Sequence, residues 1–179
     1  MNKPNKIITH HAVSLKTHTA QDVQLWHKKR WNSYNPSPTF KAANGEPYYV
    51  GYHYVIEWDG KVVQCRGHEE EGVHTKGQNF SSIGVCFMGN NDIHYPSEEQ
   101  KAAWRKLYAK LVKEFGVLPV YPHRKYANKS CHGKLLSDTY YTDIISVSPE
   151  LKKLEALLVT LEQLTSRVKS LITTERMRG

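Results

Sequence analysis

Between His123 and Cys131 the chain reads His-Arg-Lys-Tyr-Ala-Asn-Lys-Ser-Cys, placing an imidazole, a lysine at position 129 and a thiol within nine residues. Imidazole and thiolate together suit zinc, and a catalytic zinc takes three protein ligands and keeps a fourth position for water. His123 and Cys131 supply two ligands. The third must come from elsewhere in the chain, and His10 is the candidate. Lys129 adds a positive charge beside such a site. Alone, this cluster proves little, because the chain has ten histidines and most histidines are structural or solvated.

The elements around the loop decide whether His10 can reach it. Residues 6–11 read as a short strand ending in His10 and His11. Side chains alternate along a strand, so these two point apart and only one can face a shared site. The run 117–122 is a second strand that delivers His123, and ligands of α/β sheets collect at strand ends. Thr19 to Asp22 forms a capping box that opens a helix over 20–30, with Val23, Trp26, His27 and Arg30 along one stripe. Residues 32–47 have loop composition, read either as a mobile, substrate-facing insertion using Tyr34 and Phe40 or as an ordinary exposed loop.

Strand character resumes over 48–58 and, after the Asp59-Gly60 turn, over 61–65. Regular alternation there puts Tyr52, Tyr54 and Ile56 on one face and Gly51, His53 and Val55 on the other. The polar stretch 67–81 suits a ligand-gripping loop as well as it suits a solvated connection. Residues 82–88 read as a central strand in which Cys86 is inert core. Ser97 and Gln100 open the clearest helix, which Gly116 ends.

A last helix starts at Ser148-Pro149 and runs to about Arg176. Its leucine stripe is wider than a two-stranded seam. Packing on the chain's own domain, self-association and contact with an anionic membrane all remain open for it. The fold class is therefore α/β: a central mixed sheet flanked by helices over residues 1–146, with an amphipathic helix over 147–179.

A formal charge of +8 attracts polyanions, whether nucleic acid, anionic lipid or cell wall. The chain carries no RNA-binding signature, C2H2 spacing or Gly-rich phosphate loop, so no nucleic-acid partner is expected. No apolar run is long enough to span a bilayer, and the basic N-terminus lacks a secretory core, which predicts synthesis in a cytoplasm without a signal peptide. The three cysteines, widely spaced, are expected to stay reduced.

Ile8 to His11, Val50 to Ile56, Gly72 to Gly77, Asn79 to Val85 and His123 to Gly133 resemble, in that order, segments of the zinc-dependent N-acetylmuramoyl-L-alanine amidases. The likeness is greatest to phage endolysins, with peptidoglycan recognition proteins as relatives, and it covers roughly residues 6–140. It implies His10, His123 and Cys131 as zinc ligands, Tyr52 as the catalytic tyrosine and Lys129 as the oxyanion partner. It also implies substrate contacts by His74, Lys76 and Asn79. The implied substrate is peptidoglycan, cut by a phage or prophage lysis protein that a holin-type pore releases or a virion delivers. The rival reading is a recognition module that holds the stem peptide without cutting it. This chain departs from the family pattern in two places: Cys86 and Met88 stand where recycling amidases carry a strand glutamate, and His132 stands where proline commonly follows the ligand cysteine.

Overall fold

The computed structural model describes residues 1–31, 36–146 and 149–176. Its strands are β1 (Ile7–His11), β2 (Tyr54–Ile56), β3 (Val62–Gln64), β4 (Ile83–Phe87) and β5 (Val120–Pro122). They form one mixed sheet in the order β3-β2-β4-β1-β5, with only the β2–β3 hairpin antiparallel. The helices are α1 (Ala20–Arg30), α2 (Glu98–Phe115), α3 (Tyr140–Ser146) and α4 (Pro149–Arg176). Both anticipated capping boxes are present, and Gly116 ends α2 with φ 77°. α3 had no counterpart in the sequence reading.

Alternation along β4 separates two cores. Ile83, Val85 and Phe87 join Trp104, Leu107 and Leu111 of α2 and Tyr141 of α3. Cys86, Met88 and Val55 join Ala20 and Val23 of α1 on the other face. In the parallel register His10 pairs with Cys86 and His11 with Phe87. His10 thus faces α1 and His11 faces α2, which is the divergence that strand geometry requires.

Two expectations need correction. The strand foreseen over 48–58 is sheet only at 54–56, and residues 51–53 bend. The cause is competition for backbone groups. Gln24 of α1 accepts from Tyr49 N and donates to Pro47 O, while His27 accepts from Gly51 N, so α1 side chains take bonds that a neighbouring strand would otherwise take. Tyr52 consequently packs with the Val55 and Cys86 cluster instead of sharing the Tyr54 face. The loop 36–47 is also anchored. Ser37 donates to the Glu70 carboxylate, Ala42 is buried, and Phe40 packs against the α1-side core rather than offering itself to a ligand. Tyr34 lies outside the described residues.

Trp26, placed on the helical stripe, is 41% exposed and packs edge-on to His18. The first turns of α4 pack back on the domain through Leu154 and Leu158. Leu157, Leu161, Leu164 and Val168 remain exposed. Among the described residues no helix is long and apolar enough to cross a membrane.

Candidate metal centre and groove

His10 leaves the end of β1 on the α1 side. β5 ends one residue before His123, which opens a 3-10 turn, His123–Lys125. The nine-residue loop then closes on itself, because Arg124 N donates to Cys131 O at 2.6 Å. The Arg124 guanidinium also donates to the carbonyls of Gly133 and Leu136. Asp92, in the connection after β4, accepts from Ser130 Oγ and Lys134 N. Loop and strand ends are thereby fixed to one another.

The result is a cluster in which donor atoms of His10, His123 and Cys131 all lie within 4.8 Å of one another. His10 Nδ1 sits 3.7 Å from Cys131 Sγ, and the His10 and His123 rings are 4.5 Å apart. Two nitrogens and one sulfur, converging on one point at the floor of an open groove, fit zinc with a position to spare. Burial pushes the His10 pKa well below its ordinary value, and neighbouring imidazoles lower it further. Burial, then the Lys129 charge, lowers His123 to about 4. Both imidazoles are neutral at physiological pH, as a metal ligand must be. Burial raises the Cys131 thiol to about 11 in the metal-free protein. Metal binding must therefore displace its proton.

Behind His10 runs a chain of hydrogen bonds that selects its tautomer. His10 Nε2 meets His74 Nδ1 at 3.0 Å, His74 Nε2 meets Ser82 Oγ at 3.4 Å, and Ser82 Oγ donates to Gln78 O at 2.8 Å. The terminal carbonyl can only accept, so with Ser82 donating outward each ring passes its Nε2 hydrogen along the chain. His10 Nδ1 keeps its lone pair for the metal. The His74 ring fits between glycines: a Cβ at Gly72 or Gly84 would come within 2.5 Å of His74 Cδ2. Asn79 Oδ1 accepts from the backbone N–H groups of His74 and Thr75 and so shapes the loop that carries His74.

The cluster opens into a groove of about 500 Å³. Every residue to which the family resemblance gives a role lines it: His10, Tyr52, His74, Lys76, Asn79, His123, Lys129 and Cys131. Tyr52 packs 5.0 Å from the His10 ring, and burial raises its phenol pKa well above the ordinary value, keeping it a neutral donor. Sequence reasoning missed His27, Arg30 and Trp31, which form the α1 wall. The signal was available, since Val23, His27 and Arg30 share one face that passes from apolar to polar towards the helix end. Val13, the only non-glycine residue at positive φ (50°) among those described, also lines the groove.

His11 and His132 are not competing ligands. His11 Nδ1 accepts from Asn91 N on the α2 side of the sheet. His132 bonds Thr9 Oγ1 through Nδ1 at 2.7 Å and Ser137 O through Nε2 at 3.1 Å, and its ring packs edge-on to Tyr141. A slightly larger cavity, about 570 Å³, lies between the β2–β3 hairpin and α2, but no three metal-binding groups converge in it among the described residues.

A parallel-cored α/β sheet with a nitrogen and sulfur donor set at its strand ends, open to a groove, defines a class with a candidate metal centre. The comparisons specify that class further. The model for N-acetylmuramoyl-L-alanine amidases matches residues 1–134, and the chain belongs to that family. It is 34% identical over 117 residues to the endolysin of Klebsiella phage KP32, covering 62% of this chain and 67% of that protein. The fold is shared with N-acetylmuramoyl-L-alanine amidase LysC from Clostridium intestinale URNW (TM-score 0.63, 23% identity, 81% of this chain and 85% of the other). It is shared equally with the Drosophila peptidoglycan recognition protein SD (TM-score 0.62, 20% identity, 83% of each chain).

Proposed function

We propose that this protein is a zinc-dependent peptidoglycan hydrolase of the phage endolysin type, cutting the amide between N-acetylmuramic acid and the L-alanine of the stem peptide. The observation that carries the proposal is the convergence of His10, His123 and Cys131 in a groove that also presents Lys129 and Tyr52. His10, His123 and Cys131 would hold a zinc ion, which when bound would supply a water of lowered pKa and polarise the amide carbonyl. Lys129 has no ion-pair partner among the described residues and offers its ammonium to the oxyanion that forms as the carbonyl carbon becomes tetrahedral. Tyr52, neutral and beside His10, donates a hydrogen bond to the attacking oxygen. His74, through His10 Nε2, positions the ligand, while Lys76 and Asn79 shape the substrate side of the groove.

In this reading the protein is made in a host cytoplasm and reaches the wall after holin-type release or virion delivery. Its net positive charge lengthens its stay on an anionic wall, an effect that salt weakens. Residues 1–146 carry the catalysis, and the exposed leucines of α4 serve self-association or anionic-membrane contact. The test is digestion of purified peptidoglycan with the zinc-loaded and chelated protein, followed by muropeptide analysis. Glycans freed of stem peptide, produced only with metal, are expected. New reducing sugar ends would reject the amide as the bond cut.

A further inference from the structure

α4 carries a face that the domain leaves uncovered, and it lies beyond the residues 1–134 matched to the amidase family. Leu154 and Leu158 pack against the α2-side core. Past them the helix runs on to Arg176, about 27 Å at a rise of about 1.5 Å per residue. Leu157, Leu161, Leu164 and Val168 are each more than half exposed along this part. A helix in water gains little from propensity alone and is held by burial of its apolar face. A shallow furrow of about 350 Å³ follows the stripe, lined entirely by α4 itself, with Glu162 and Lys169 beside Leu158, Leu161 and Thr165.

Charge decides what can cover this face. A helix lying on an anionic membrane takes its hold from an excess of Lys and Arg around an apolar face with aromatic anchors. The α4 sequence holds five basic and four acidic residues and no Trp, Tyr or Phe, and Glu162 borders the apolar stripe. That pattern is poor for a lipid surface and apt for another helix.

The heptad positions choose the direction of pairing. With Leu154 at d, Leu158 and Thr165 fall at a, Leu161 and Val168 at d, Leu157 and Leu164 at g, and Glu162 and Lys169 at e. In a parallel pair e faces g, which sets both charges against leucines. In an antiparallel pair e faces e and g faces g. When Thr165 is laid against Val168 of a second copy, Glu162 falls opposite Lys169 of that copy, and the two-fold axis repeats the match in reverse. Leu164 then meets the other g row instead of a charge. The e row of the sequence continues with Glu155 one heptad before and Arg176 one heptad after, acid towards its start and base towards its end. This register pairs residues 157–176, the stretch that begins where the helix leaves the domain, so the two domains stand at opposite ends.

We propose that α4 is a self-association helix that pairs antiparallel with α4 of a second copy, its direction set by Glu162 against Lys169. Exposed ion pairs add little affinity, so the leucines hold the pair and the charges orient it. The pairing does not depend on the amidase reading, but its consequence rests on that reading: two grooves on one particle grip a polymeric wall bivalently.

The experiment is sedimentation equilibrium of the full chain at increasing concentration. Wild type is expected to approach, reversibly, twice the 20.6 kDa of one chain. Leu161→Arg, at an exposed position, should stay monomeric with an unchanged melting temperature. Glu162→Lys and Lys169→Glu should each weaken association by about five- to tenfold, and the two together should restore it, with salt narrowing the differences. A wild-type monomer at every concentration overturns the proposal, and if that monomer sediments with phosphatidylglycerol vesicles, lipid covers the stripe instead. Association that survives Leu161→Arg, or charge reversals that have no effect or fail to rescue one another, overturns it equally. Muropeptide digestion is read separately: a dimer that does not cut rejects the amidase and keeps the pairing, and a monomer that cuts does the reverse.

Discussion

Two clusters among the described residues that join an imidazole to groups of catalytic type contrast in what they face. Beside the larger cavity, Tyr54 OH meets His68 Nε2 at 2.6 Å and His68 Nδ1 meets Glu114 Oε1 at 2.6 Å. On paper this is a hydroxyl, imidazole and carboxylate relay. All three groups satisfy one another, however, and burial drives the Tyr54 phenol pKa far up, so nothing is left for a substrate. At the groove, His10, His123 and Cys131 aim their donor atoms at a shared point. Cavity size and short hydrogen bonds do not separate the two; metal-binding donor atoms gathered beside an open groove do.

Substitution should widen this contrast. Cys131→Ser is expected to lose the metal and lower amidase activity by about a thousandfold or more, with wall binding retained. His68→Ala should cost about 1 kcal/mol of stability and change activity by less than about threefold, measured by urea unfolding and wall lysis. Equal losses of activity in the two variants would erase the distinction. Lys129→Met should reduce kcat by about a hundredfold or more with little change in KM, the pattern of a group that acts on the transition state. His74→Ala should weaken zinc binding by about ten- to a hundredfold, read by competition with a chromophoric chelator.

A further expectation concerns pH. His53 is buried, accepts from Gly84 N and donates to Glu70 O, and burial lowers its pKa to about 4. The unfolded chain, with an ordinary imidazole near 6.5, takes up the proton first. The stability that His53 contributes above about pH 6.5 should therefore be lost, by roughly 3 kcal/mol, as the pH drops towards 4, adding to losses of the same sign from the other buried imidazoles. Urea unfolding across that range measures it, and a flat profile would show that His53 is not held neutral.

The candidate ligand set was partly legible in the sequence from short-range rules, with the family resemblance supplying the rest. Alternation at His10 and His11, a strand ending at His123 and a loop of nine residues are local facts. Tyr52 was harder. Periodicity placed it on one face with Tyr54 at the sheet end shared with His10, and the family resemblance gave it a role in the candidate site. The difficulty is that Gln24 and His27, distant in sequence, take backbone bonds from residues 47–51 and bend the chain. The α1 wall was missed for the same kind of reason, since a helix's face can be read from sequence but the surface it meets cannot.

The layer of His132, Asn91 and Tyr141 beneath β1 has a further effect. Two adjacent histidines make this strand chemically ambiguous, because a slip by one residue would still present an imidazole to the groove. Thr9 bonded to His132 and His11 seated on Asn91 N remove the ambiguity. They act as the wards of a lock that admits β1 in one setting, and the histidine standing in proline's place is one of the wards.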